Sequence, residues 1–160
     1  MAILTNSGRV AMAKSVKTQP IHLAWGSGSA AWDTTPVPES ITAEALVAEV
    51  GRRKASYVAY CTPDTNGSII VPTGKFSESA TPTKHLYMRF AFDFTDAPTS
   101  TIRELAVFVG TVTNPALPPG QMYFEPGQVT DPGTLLVVEN IQKFERSASV
   151  RQTFEFVVTF

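Results

Sequence analysis

Charge and cysteine are both scarce in this chain. Lys, Arg, Asp and Glu make up 17% of its 160 residues, against roughly 25% in an average soluble protein, so the surface is either unusually neutral or covered by partners. One cysteine, Cys61, excludes an internal disulfide and a cysteine-rich zinc site. There is no excess of positive charge: 13 basic residues stand against 14 acidic ones, for a net charge of -1. Without that excess to neutralise phosphates, nucleic-acid binding is not expected. No run approaches the ~18 apolar residues of a membrane span, and the opening residues lack the basic and apolar regions of a secretion signal. The expectation is a protein without membrane contact, made in the cytoplasm. Only two histidines occur, His22 and His85, and neither sits in a metal-ligand spacing, so no metal or other cofactor is expected.

What the chain does have is alternation. In residues 85–94, Leu86, Met88, Phe90, Phe92 and Phe94 fall on one side and His85, Tyr87, Arg89, Ala91 and Asp93 on the other, the period of a half-buried strand. Residues 103–109 repeat the pattern with both sides rather apolar, as in a strand covered on both faces. Residues 21–25, 55–62, 68–71, 135–141 and 150–160 read as further strands, with the turn signal Pro63-Asp64-Thr65-Asn66-Gly67 predicting a hairpin between the second and third of these. Two short helices are expected, one over residues 8–16 capped by Ser7 and one over residues 42–49 capped by Thr42 and stopped by Gly51. Six or seven strands without βαβ alternation predict a mainly β fold, an antiparallel β-sandwich or open barrel with one or two short helices, in a single domain over residues 1–160. The Pro-bearing loops at 32–40, 112–121 and 125–133 are long enough to grip something else.

Catalytic motifs are weak. Gly26-Ser27-Gly28-Ser29-Ala30 puts alanine where a nucleophile elbow needs its last glycine, and it lacks the Lys-Ser/Thr pair of a phosphate loop. Cys61, at the end of an apolar strand, reads as a small buried hydrophobe. No spacing selects two of Asp93, Asp96, Glu104 and Glu139 as a carboxylate pair. A non-enzyme is expected. The interface candidates are Arg52, Arg53 and Lys54, either an anchor for an acidic partner or a solvated helix end, together with Trp32, Arg9 and Lys14. On the anchor reading, Arg52→Glu with Arg53→Glu is expected to leave folding intact and weaken assembly. The rings of Trp25, Trp32, Tyr57, Tyr60 and Tyr87 suit either a core or a sugar platform.

Four stretches, taken in order, resemble the N-terminal domain of phage tail-collar fibre proteins and related baseplate structural proteins of contractile-tailed bacteriophages. They are Leu4-Thr5-Asn6-Ser7-Gly8 ahead of an Ala-rich helix, Ile21-His22-Leu23-Ala24-Trp25-Gly26-Ser27-Gly28, Ala45-Leu46-Val47-Ala48-Glu49-Val50-Gly51-Arg52-Arg53, and Ile102-Arg103-Glu104-Leu105-Ala106-Val107-Phe108. The resemblance implies a non-enzymatic virion part that docks onto other tail or baseplate proteins (sheath, tube, wedge or fibre subunits), in multiple copies set by tail symmetry and assembled in the host bacterial cytoplasm. No shaft repeats follow, so the expected place is the baseplate, collar or tube-to-baseplate junction. The alternative reading is a carbohydrate-binding β-sandwich module involved in host attachment.

Overall fold

The computed structural model describes residues 1–160. Its elements are a helix, α1 (Asn6–Lys17), and twelve strands: β1 (Ile21–Gly26), β2 (Glu49–Lys54), β3 (Tyr57–Pro63), β4 (Ile69–Val71), β5 (Gly74–Ser79), β6 (His85–Phe92), β7 (Thr101–Val109), β8 (Val112–Thr113), β9 (Tyr123–Phe124), β10 (Val129–Asp131), β11 (Thr134–Glu145) and β12 (Gln152–Thr159). Strand accounts for 45% of the chain and helix, with two short 3₁₀ turns counted, for 12%. The expected class, mainly β and antiparallel with little helix, is the one observed. The chain divides into two compact units, one made of residues 1–19, 55–90 and 153–160 and the other of residues 20–54 and 91–152.

The first unit holds α1 and most of a sheet ordered β12-β6-β3-β5-β4. Helix α1 starts earlier than Ser7 suggests. The Thr5 hydroxyl accepts the Gly8 N–H at 3.1 Å, while the Ser7 hydroxyl is paired with Thr5 Oγ1 at 3.0 Å, so the cap is Thr5. Ala13 is buried and Val10 and Val16 half-buried, the stripe the periodicity predicts. The β3–β4 hairpin does not form. Strand β5 lies between those two, pairing Tyr60 with Ser79 on one side and Ile69 with Phe76 on the other. The true hairpin turns at Pro72-Thr73, with Gly74 at φ +139, a conformation that suits glycine. A Cβ at Gly67 would stand 2.2 Å from the Phe76 carbonyl oxygen, so the Asp64–Gly67 turn packs on β5 and requires its glycine.

In β6 the alternation holds: Leu86, Met88, Phe90 and Phe92 are wholly buried. Phe94 lies past the strand end and is partly exposed. Strand β12 alternates as expected, with Phe154, Phe156 and Phe160 less exposed than Thr153, Glu155 and Thr159. Val150 precedes the strand and is exposed. Cys61 packs with Ala59, Ile69, Val71, Phe76 and Tyr87.

The second unit is a sheet ordered β11-β7-β1-β2-β9 with a small β8–β10 ladder. Strand β7 is flanked on both sides and buried from Glu104 through Val109, as its two apolar faces predict. Residues 42–49 are not helical: they form turns and irregular chain, and β2 begins at Glu49. Helix propensity is overridden here because the Val47 and Ala48 N–H groups donate to the Glu104 carboxylate at 3.0 and 2.8 Å rather than to carbonyls one turn back.

Candidate interaction surfaces

Three of the four family-like stretches meet at one side chain. Glu104, buried in β7, accepts backbone N–H groups from Val47, Ala48 and Gly28, the last at 3.2 Å. Gly26 leaves room for it, since a Cβ there would stand 2.3 Å from Glu104 Oε1. A carboxylate satisfied by several amide donors replaces its lost hydration without a cation. Glu104 thereby ties the glycine turn after β1 and the approach to β2 onto β7, and the spacing of these stretches becomes one packing requirement. In the sequence Glu104 stands out as a carboxylate candidate for catalysis and as part of the fourth family-like stretch; the signal for its structural role is the pair of glycines, Gly26 and Gly28, that the fold sets opposite it.

The basic cluster is not a solvated helix end. It lies in β2, and Arg52 is only 2% exposed. Its guanidinium donates to the Glu49 carboxylate at 2.8 and 2.7 Å, to Thr111 Oγ1 at 3.2 Å and to the Pro132 carbonyl at 2.9 Å, over the Phe108 ring. Arg53 is paired with the buried Asp96 carboxylate, and the Lys54 ammonium lies 5.1 Å from the centre of the Phe124 ring. Arg52 is therefore committed inside the unit, which corrects the expectation that its reversal to glutamate spares the fold: Arg52→Glu buries a second carboxylate against Glu49.

Trp32 is half-buried in a 3₁₀ turn (Ala30–Asp33) and covers Gly28, whose positive φ and lack of Cβ let the ring sit close. With Pro36 and Val37 it faces Ile141, Gln142 and Lys143 across a groove of about 410 Å³. Those three residues are displaced by an irregularity in β11, whose register with β7 passes from Asn140↔Glu104 to Phe144↔Ile102. The groove's polar groups are already engaged. Asp33 takes Arg103 bidentately at 2.8 and 2.9 Å and Lys143 at 2.9 Å, which hold its carboxyl far below the usual range. The Asn140 amide donates to the Val37 carbonyl at 2.9 Å, and its backbone N–H to Glu39 at 3.0 Å. These bonds seat residues 33–39 on the edge strand β11.

Beyond that seat, residues 34–48 carry no helix or strand, and Val37, Ile41 and Val47 are exposed. On α1, Lys14 is exposed and Arg9 half-exposed, and neither enters an ion pair. The loops expected at 112–121 and 125–133 contain the short strands β8 and β10, and β9 lies between them with Phe124 buried. Burial, then the Arg52 and Lys54 charges, push His22 down to about 4. Burial, with Glu78 adding, pushes the Cys61 thiol up to about 11. His85 is lowered by burial and by Lys84, and its Nδ1 is bonded to Thr159 Oγ1 at 2.7 Å. No helix is long and apolar enough to cross a membrane.

Comparison with known families returns a match over residues 1–160 to the model described as "Baseplate wedge 3 tail fiber network component". No curated protein matches the chain.

Proposed function

The chain belongs to the family of the baseplate wedge 3 tail fiber network component, a part of the phage tail, and on that premise we propose that it docks onto neighbouring baseplate or tail fibre subunits during virion assembly. The observation that carries the reading is the 34–48 loop. It is tethered at both ends, by Asn140 to Glu39 and Val37 and by Glu104 to Val47 and Ala48, yet it turns Val37, Ile41 and Val47 to solvent. A held loop with several exposed branched apolar side chains is what a docking surface requires: little ordering entropy is lost and apolar area is gained on contact. The low overall charge agrees, since interface cores are depleted of charged residues.

On this reading the protein performs no chemistry. A thiol held near 11 carries almost no thiolate at neutral pH, and His22, pushed down to about 4, is far from the range a general base needs. The carbohydrate alternative loses support at the Trp32 groove, where Asp33 and the Asn140 amide are already taken. Mixing the purified chain with the baseplate and tail fibre proteins of the same phage, and measuring complex mass by light scattering, tests docking. A stable complex weakened at least tenfold by Ile41→Asp is expected; indifference to every such protein rules the reading out.

A further inference from the structure

The charges near the start of the chain are segregated. Residues 1–32 hold Arg9, Lys14 and Lys17 and no acidic residue, whereas residues 33–51 hold Asp33, Glu39, Glu44 and Glu49 and no lysine or arginine. Internal partners absorb part of each set: Lys17 lies over the Tyr60 ring, Asp33 is held by Arg103 and Lys143, and Glu49 by Arg52. What remains is Arg9 and Lys14 on one side and Glu39 and Glu44 on the other, none of them in an ion pair. Each remainder borders exposed apolar side chains. Ile3 is 83% exposed, with Leu4 and Met12 also turned outward, and on the other surface Ile41 is fully exposed, with the exposed Val37 in the same loop. Glu39 is held by the Asn140 backbone N–H at 3.0 Å and not by a cation, and its charge, after burial, raises the pKa of Glu139 on β11.

We propose that these two surfaces bind each other between copies, the basic apolar arm and α1 of one molecule seating on the acidic apolar 34–48 loop of the next. The occupant is a second copy because the complement each surface needs, opposite charge beside branched apolar side chains, is present elsewhere on the same chain. Contact between two copies of the same surface is disfavoured, because like charges would be brought together. The contact joins unlike surfaces, so it builds a ring or an open chain, or a twofold dimer in which the two copies exchange arm and loop reciprocally. This inference rests on the docking reading and adds the identity of one neighbour.

Light scattering on the purified chain over a range of concentration and salt tests it, with two variants that each remove one surface: Ile3→Asp with Met12→Asp, and Val37→Asp with Ile41→Asp. The parent is expected to gain mass with concentration and lose it in high salt, and each variant alone to stay monomeric. An equimolar mixture of the two variants should reach twice the monomer mass and go no further, since one intact arm then meets one intact loop. A parent that is monomeric throughout, or variants that stay monomeric when mixed, overturns the inference. A milder pair guards against misfolding: Lys14→Glu and Glu44→Lys are expected to weaken association singly and to restore it when combined in one chain, and failure of that rescue counts against the proposal. Complex formation with other baseplate proteins, measured alongside, separates the two ideas. Capture of such a protein without self-association removes this inference and leaves the docking reading standing; absence of both removes both.

Discussion

Glu104 is the residue on which the second unit is most concentrated. Its carboxylate is the acceptor for Gly28, Val47 and Ala48, and truncation leaves those donors to find water in a largely closed space. Glu104→Ala is therefore expected to cost about 3 kcal/mol, read as a lowered urea midpoint with an unchanged slope. An unaltered midpoint would show that the tether contributes nothing. His22 makes the clearest pH prediction. Both of its ring nitrogens are buried without a hydrogen-bond partner, and its folded pKa is about 4 against an ordinary 6.5. The unfolded chain takes the proton first, so stability falls as pH drops through 6.5 and the loss is complete below about 4. The full loss is about 3 kcal/mol. His22→Leu should be no less stable than the parent at pH 7 and should flatten the stability profile between the unfolded and folded pKa values; an identical profile in both proteins refutes the assignment. Arg52→Glu, for its part, is expected to cost about 3–5 kcal/mol by breaking a buried pair, visible as a large drop in melting temperature.

At the scale of elements, the strands with strong period-two patterns are legible in the sequence and the ones without it are not. Strands β6 and β7 are plain because their large apolar residues recur at strand spacing and are buried as expected. Phe90→Ala should cost about 3–5 kcal/mol, and Phe156→Ala less, since Phe156 is half-buried on an outer strand although it meets Phe90 edge to face at 6.2 Å. Equal costs at both positions would contradict the burial pattern. Strand β5 is invisible to periodicity because Gly74-Lys75-Phe76-Ser77-Glu78-Ser79 offers one apolar residue; its place is dictated by backbone pairing to β3 and β4. The helix expected at 42–49 is absent for the opposite reason. Local propensity there is real, and a carboxylate distant in sequence, that of Glu104, supplies stronger acceptors. The basic run Arg52-Arg53-Lys54 misleads similarly, since the acids that absorb it, Glu49 and Asp96, include one distant in sequence.

For the molecule as a whole, the composition itself points toward contacts: little charge and long loops. The family match over the full chain agrees with the resemblance carried by four short stretches. The proposed docking surface is only half legible in the sequence. The Trp32 to Ser40 region reads as a contact loop, but which of its side chains stay free depends on the seat made by Asn140 and Lys143, and that seat exists only once β11 buckles against β7. Neighbouring positions thus differ sharply: Asp33 and Glu39 hold the loop in place, whereas Ile41 is turned to solvent. The most direct test is the amount of Ile41→Asp protein in purified phage particles, measured by quantitative mass spectrometry against the parent. The expected result is a folded, soluble variant depleted at least tenfold from particles. Incorporation at the parental level would contradict the docking role of the loop.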